Sequence, residues 1–303
     1  MRYAELKEYC VSNNIDIRFN EPMSEHTSLK IGGSADIAIF PEETAFAGVV
    51  KMLLHEGIPY IVVGNGTNIL IEDSGVAGAV IFTNKINAVS YVSEDGSISA
   101  QSGCPLQKII NLCVEHGLAG IEGLAGIPGS VGGAIAGNAG SFGYEIKDVI
   151  TSVDILTMDG NARKFSWDEI GFEYRNSHLP SNSIIMKADI SLKLDDPYDI
   201  KKKVDRFIAE KKMKQPLSKH SAGCVFKNPA YGAAGKLIDE AGCKGIRVGG
   251  IEVSTLHANF LINTGGGTAS DFLKLMDIVS SRVKERFGII LEPEIKIIGR
   301  SKL

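Results

Sequence analysis

Nine glycines fall between Gly120 and Gly143, in GIEGLAGIPGSVGGAIAGNAGSFG, and no other feature restricts the fold of this chain as much. Without a Cβ, a backbone can approach a neighbour closely and adopt conformations closed to other residues. Successive amides in such a loop form a concavity suited to anions, phosphates above all. The spacing of three is not collagen, which needs a long, proline-rich repeat; here it lasts for five glycines. The segment therefore reads as a loop that meets a phosphorylated cofactor, with close glycine packing as the plainer alternative.

At 303 residues the chain is long enough for two or three domains and a substantial core. Its net charge of −4 offers no basic field for nucleic acid. Lysines cluster at 201–203 and 211–214, but Asp199, Asp205 and Glu210 interleave them, which describes a solvated helix face. The start, MRYAELKEYCVSNN, lacks the apolar core of a signal peptide, and no apolar run is long enough to cross a bilayer. Five cysteines (10, 104, 113, 224, 243) form no CxxC, and their odd number argues against a closed disulfide framework. These features lead us to expect a cytoplasmic protein with reduced thiols.

Periodicity predicts a helix over Pro41–Glu56, with Phe46, Val49, Val50 and Leu53 on one stripe. Strands are expected at 60–63, 80–83, 88–92 and 97–101, followed by a helix from Pro105 to His116 that Gly117 stops. Further strands are expected at 149–158 and 183–194, with a hairpin signal at Asp159-Gly160. Asp195-Asp-Pro-Tyr marks a boundary before a charged helix over Ile200–Lys214. A long amphipathic helix after Ser270 carries Phe272, Leu275, Met276, Val279 and Val283 on one face and ends at Gly288. The last strand is expected at Ile289–Ile298. The pattern is mixed α+β, without internal repeats.

Several motifs carry chemistry. Val63-Gly-Asn-Gly-Thr-Asn-Ile follows a strand, but Ile69 stands where a Rossmann fingerprint needs its third glycine. It remains a turn able to hold a pyrophosphate, and with Gly126–Gly133 it suggests two loops gripping one dinucleotide. Gly232-Ala-Ala-Gly-Lys-Leu has the wrong spacing for a P-loop. In Phe172-Glu-Tyr-Arg-Asn-Ser, Arg175 could clamp a carboxylate or phosphate; the alternative is a surface arginine beside a core Tyr174. In Ser221-Ala-Gly-Cys-Val-Phe-Lys-Asn-Pro, a turn at Gly223 would present Cys224 as nucleophile, redox centre or proton donor, or the thiol is inert. Leu291-Glu-Pro-Glu-Ile-Lys places two carboxylates around a proline, which confines a strand to an edge. No histidine has metal-ligand spacing, and no metal is expected.

Taken in order, Ile31-Gly-Gly-Ser-Ala-Asp, Val63-Gly-Asn-Gly-Thr-Asn-Ile-Leu, Gly126-Ile-Pro-Gly-Ser-Val-Gly-Gly-Ala, Phe172-Glu-Tyr-Arg-Asn-Ser, Ala222-Gly-Cys-Val-Phe-Lys-Asn-Pro and Leu291-Glu-Pro-Glu-Ile resemble the UDP-N-acetylenolpyruvoylglucosamine reductase family. The resemblance spans about Thr27 to Gly299. It implies an FAD-binding fold of the vanillyl-alcohol-oxidase (PCMH) type plus a C-terminal α+β substrate-binding domain. On that pattern residues 1–78 with 288–303 form one FAD-binding subdomain, 79–198 a second, and 199–287 the substrate domain. Ser34 follows the paired glycines where covalent flavoenzymes of this fold carry histidine, so the FAD is expected to be non-covalent. The segment between Arg175 and Cys224 is too short for the extra tyrosine-bearing loop of the longer subtype.

The resemblance further implies that NADPH reduces the FAD and departs, after which UDP-N-acetylglucosamine enolpyruvate receives hydride at its methylene carbon. Arg175, Cys224 and Glu294 match the family's catalytic positions. Arg175 would hold the substrate carboxylate as negative charge develops. Glu294, returned to the flavin by the last strand, would have to be protonated to share that work. Cys224 stands where the family usually has a proton-donating serine, and a thiol can fill that role. Tyr174, Lys214 and Asn228 match substrate-binding positions, Lys214 being suited to the diphosphate. Gly64, Asn65, Gly66, Thr67 and Asn68, with Ile127, Pro128, Gly129, Ser130, Gly132 and Gly133, are the expected cofactor-binding residues. A monomer is expected, with no membrane insertion. Competing readings are a flavin oxidase of another sugar or alcohol on the same fold, and a non-catalytic nucleotide-binding protein.

Overall fold

The computed structural model describes residues 3–91, 95–157, 159–180 and 183–300. Val92 and Met158, the ends of two expected strands, lie outside the described residues. In chain order the main elements are α1 (Ala4–Ser12), β1 (Asp16–Pro22), β2 (Ser34–Phe40), α2 (Glu43–His55), β3 (Tyr60–Val63), β4 (Ile69–Ile71), β5 (Val76–Phe82), β6 (Val89–Tyr91), β7 (Ser97–Gln101) and α3 (Leu106–His116). There follow α4 (Val131–Ala136), β8 (Ile150–Leu156), β9 (Ala162–Ser166), β10 (Phe172–Glu173), β11 (Asn176–Ser177), β12 (Ile184–Ser191) and α5 (Pro197–Lys214). The chain continues through β13 (His220–Ser221), α6 (Ala234–Glu240), β14 (Arg247–Val248), β15 (Ile251–Val253), β16 (Leu261–Asn263), α7 (Ala269–Phe287) and β17 (Lys296–Ile298). Two compact units result: Met1–Phe19, Ile37–Asn65 and Gly78–Ala209 form one, and Asn20–Asp36, Gly66–Ala77 and Glu210–Leu303 the other.

The first unit has two cores. In one, α2 lays Phe46, Val49, Val50 and Leu53, all fully buried, against Ile37, Ile39 and Ile81. Their spacing of three and four residues is what puts them on one helix face. Here β3 and β5 run parallel, Tyr60 opposite Ala79 and Val63 opposite Phe82, in a sheet ordered β1-β2-β5-β3. The other core belongs to a sheet ordered β9-β8-β12-β7-β6. Alternate residues of β7, β8 and β12 (Ile98, Ala100, Val153, Ile155, Ala188, Ile190) face α3 through Leu106, Ile109, Ile110 and Cys113. The β8–β9 hairpin turns over Asp159-Gly160 as expected.

The second unit packs α6 and α7 on a sheet ordered β13-β16-β15-β14. Phe272, Leu275, Met276, Val279 and Val283 are buried. At the start of α7 the Thr268 hydroxyl accepts from Asp271 N at 3.0 Å, and Thr268 N donates to the Asp271 carboxylate at 3.2 Å, a reciprocal cap. The Asp73 carboxylate accepts from Ala269 N and Ser270 N at 2.8 and 2.9 Å.

One expected strand is shorter than read. Residues 289–295 are not a strand; only Lys296–Ile298 is, running parallel to β4 with Lys296 opposite Ile69. Pro293 has no N–H to give a ladder. The segment is held instead by a single bridge to Phe226 and by Glu294 N donating to Val225 O at 2.7 Å.

Candidate functional site

In the first unit the turn after β3 meets the glycine-rich segment through Gly64 and Ser130. A Cβ on Gly64 would overlap Ser130 Oγ and lie 3.3 Å from Ser130 Cβ and 3.7 Å from Thr83 Oγ1. Only glycine lets the two turns close. The glycine-rich segment is also fastened to the residues after β7. Gly132 N donates to Ser102 O at 2.8 Å, Val131 N to Cys104 O at 2.9 Å, and Leu106 N to Gly129 O at 2.9 Å. Thus the two loops named from the sequence meet at Gly64 and Ser130. Gly66, Thr67 and Asn68 belong to the second unit.

The amides of the glycine segment are less available than the sequence suggested. Gly126 N donates to Gln107 Oε1 at 3.3 Å, Ile127 N to Leu124 O at 3.1 Å, and Gly133 N to Ser130 Oγ at 3.4 Å. With Val131 and Gly132 also committed, these donors already have protein acceptors. The wall is instead rich in buried hydroxyls: Thr83, Ser102 and Ser130 are at most 4 % exposed. Among the described residues the Ser102 hydroxyl has no hydrogen-bond partner. Sequence reasoning missed Ser102, yet a glycine lies within two residues of the end of β7, at Gly103, as Gly64 does after β3.

Arg175 is the second loop residue of the β10–β11 hairpin, in which Glu173 faces Asn176. Its φ is +56°, a conformation that costs a non-glycine residue about 1–2 kcal/mol. The guanidinium donates to Gly140 O at 3.0 Å and Asn138 O at 3.5 Å, and lies 4.9 Å from the Tyr174 ring. A Cβ on Gly140 would stand 3.0 Å from it. Tyr174 is 46 % exposed, which overturns the alternative that placed it in the core. Its hairpin position directs it outward. Asn138, fully buried and also missed from sequence, donates to Glu173 O at 2.8 Å and so ties this hairpin to the glycine segment.

In the second unit Cys224 is half-buried, after a left-handed Gly223 whose Cβ position is open. The next residues pair with the chain around Glu294. Val225 O accepts from Glu294 N, Phe226 bridges Pro293, and Lys227 N donates to Glu292 O at 2.8 Å. Cys224 and Glu294 therefore sit on adjoining strands of backbone. Asn259, 1 % exposed, locks this loop by accepting from Phe226 N at 3.0 Å and donating to Phe226 O at 2.8 Å. Asn68 donates to Glu294 O at 3.4 Å, which joins one of the expected cofactor residues to the same segment. Asn228 accepts from Ala234 N at 2.9 Å, fixing the start of α6. Glu292 is exposed and pairs with Lys227 at 2.5 Å.

Lys214 is exposed and pairs with Glu210 at 2.5 Å. Lys201 pairs with Asp205. Lys211 is an exception to the solvated-face reading: it is 3 % exposed, and burial holds its pKa down to about 8. All five cysteines are free, and burial raises the thiol pKa of Cys10 to about 11 and of Cys113 to about 12. Among the described residues no cluster could hold a metal and no helix is long and apolar enough to cross a membrane.

Comparison with known proteins bears directly on this arrangement. Residues 35–166 match the model of an FAD binding domain, and residues 215–298 match the model of the UDP-N-acetylenolpyruvoylglucosamine reductase C-terminal domain. The chain is 42% identical over 295 residues to UDP-N-acetylenolpyruvoylglucosamine reductase of Streptococcus pneumoniae strain Hungary19A-6, covering 96% of this chain and 97% of that protein. The enzyme of strain JJA gives the same identity and coverage. The chain belongs to the UDP-N-acetylenolpyruvoylglucosamine reductase family. A crystal structure of the family's enzyme from Thermus caldophilus matches with a TM-score of 0.80 at 34% identity, covering 94% of this chain and 98% of that one. The fold is accordingly the α+β FAD-binding type followed by the reductase C-terminal domain. The residues present fit FAD: two turns that close together where Gly64 meets Ser130, and beside them a buried hydroxyl that has no partner among the described residues.

Proposed function

We propose that this chain catalyses the NADPH-dependent reduction of UDP-N-acetylglucosamine enolpyruvate to UDP-N-acetylmuramate, a step of peptidoglycan precursor synthesis. The carrying observation is 42% identity to the Streptococcus pneumoniae reductases across 96% of the chain. Non-covalent FAD, when bound, supplies the hydride that NADPH provides. Gly64–Asn68, Ile127–Ser130, Gly132 and Gly133 are the residues assigned to hold it, from subdomains 1–78 with 288–303 and 79–198. Residues 199–287 take the sugar nucleotide, with Lys214 on the diphosphate and Tyr174 and Asn228 as further contacts. The protein acts as a monomer in the cytoplasm.

The chemistry asked of the side chains is charge stabilisation followed by proton delivery. Hydride addition at the methylene carbon leaves negative charge on the adjacent carbon and the carboxylate. Arg175 holds that carboxylate; its strained backbone and two carbonyl anchors support a preorganised cation. Glu294, protonated, donates a hydrogen bond to the same developing charge. Cys224 then gives its thiol proton to the carbon, so one hydride and one proton saturate the double bond. The half-buried thiol on a turn beside the Glu294 segment supports this assignment.

The test is anaerobic spectroscopy of each half-reaction. The flavin band should bleach with NADPH and return only with the enolpyruvyl sugar. Cys224→Ser should keep substantial turnover, whereas Cys224→Ala should lose flavin reoxidation and keep flavin reduction. Equal loss of both half-reactions in the alanine variant would remove Cys224 from the proton-donor role.

A further inference from the structure

The strongest unexplained feature of the first unit is the Ser102 side chain. Its backbone is fully used: Ser102 N donates to Met186 O at 2.9 Å, and Ser102 O accepts from Gly132 N at 2.8 Å. The side chain is 1 % exposed, and among the described residues its hydroxyl has no partner. A serine hydroxyl brings one donor and two acceptor sites, and burying it unpaired is unfavourable. Alanine would fill the same backbone without that penalty, so the hydroxyl calls for a partner that the chain itself does not supply.

Its surroundings indicate which partner. A Cβ on Gly132 would lie 2.8 Å from Ser102 Cβ, so the hydroxyl-bearing carbon sits directly under the glycine turn. The buried hydroxyls of Ser130, on that same turn, and of Thr83 lie beside Gly64. The amides of Gly126, Ile127, Val131, Gly132 and Gly133 already donate to protein acceptors. A phosphate entering this wall must therefore draw donors from side chains as well as from whatever backbone remains. The Ser102 hydroxyl can turn among three staggered wells without backbone movement.

We infer that the Ser102 hydroxyl donates a hydrogen bond to the diphosphate of FAD held between the two glycine turns. This rests on the reading that FAD occupies that cradle. It predicts a separation of effects that a structural serine would not give. In the flavin-free protein Ser102→Ala removes an unpaired buried group, so the melting temperature stays level or rises. The same substitution removes a charge-assisted bond to bound FAD, weakening FAD by about tenfold to a hundredfold.

The experiment titrates FAD and riboflavin separately into flavin-stripped wild type and Ser102→Ala, reading flavin fluorescence, with melting curves taken with and without saturating FAD. The expected result is a raised FAD Kd, a smaller FAD-induced rise in melting temperature, and unchanged riboflavin affinity. Unaltered FAD affinity overturns the inference while leaving FAD binding itself intact. Equal weakening of riboflavin moves the contact off the diphosphate and overturns it too. A flavin-free variant that melts well below wild type makes Ser102 a structural residue. Wild type that binds no FAD at all removes the underlying reading as well.

Discussion

Gly64→Ala puts the junction of the two glycine turns to a quantitative test. The added Cβ overlaps Ser130 Oγ and sits 3.3 Å from Ser130 Cβ. Ser130 can relieve the overlap by rotating its hydroxyl away, but that hydroxyl is the cap of α4, accepting from Gly133 N at 3.4 Å. Losing an N-cap costs about 0.5–2 kcal/mol, and a bond this long belongs at the low end, about 0.5–1. The residual tight contact with Ser130 Cβ adds part of the overpacking penalty, about 1 kcal/mol. The expected destabilisation is thus about 1.5–2 kcal/mol in urea unfolding of the flavin-free protein, together with weaker FAD binding. In a Ser130→Ala background the cap is already gone and the overlapping atom absent. There Gly64→Ala should cost about 1 kcal/mol, a coupling of about 0.5–1. Strict additivity of the two substitutions would refute the argument, because Gly64 and Ser130 would then not be what holds the turns together.

Lys211→Met tests the buried ammonium through its pH linkage. Wild-type stability should rise between about pH 8 and 10.5, where the unfolded chain binds the proton that the folded Lys211 releases, and this rise should be absent from the variant; parallel pH profiles from urea unfolding would contradict it. Arg175→Gly should abolish turnover yet change stability by no more than about 1 kcal/mol, because relief of a left-handed backbone offsets two lost hydrogen bonds. A loss of several kcal/mol in its urea unfolding would make Arg175 a strut. Thr268→Ala should cost about 1 kcal/mol through loss of the α7 cap, and a melting temperature equal to wild type would show that Asp73 alone suffices.

What was legible in the sequence was what is encoded locally. The stripe of α2, the stop of α3 at Gly117 and the apolar face of α7 with its stop at Gly288 depend on residues within a few positions of one another. The motifs around Arg175, Cys224 and Glu294 were visible as residue types. Their positioning was not. Glu294 owes its place to Val225 O, and Asn259 locks the Cys224 loop across 33 residues. The strand expected over Ile289–Ile298 failed because apolar density does not reveal whether a ladder partner exists, and Pro293 removes one donor from it. Lys211 looked like its neighbours because composition along a charged helix does not say which lysine turns inward.

The glycine segment shows how a residue pattern can leave its own reason open. Glycine spacing reports only that something comes close to the backbone, and two kinds of partner meet that condition. At Gly64 and Gly132 the close neighbours are the side chains of Ser130 and Ser102 of the chain itself, and at Gly103 the backbone of Thr83 and Ile86. Close packing, the plainer alternative, therefore accounts for these glycines in the absence of any ligand. Yet the side chains admitted at Gly64 and Gly132 carry hydroxyls, in a protein whose other buried layers are mainly apolar. Ser130 serves its wall as the cap of α4, but packing gains nothing from the buried Ser102 hydroxyl, which has no partner among the described residues. A wall built to close around a diphosphate gains donors in a place that water does not reach. The glycines bring the turns together, and the hydroxyls they uncover give that closeness a chemical use.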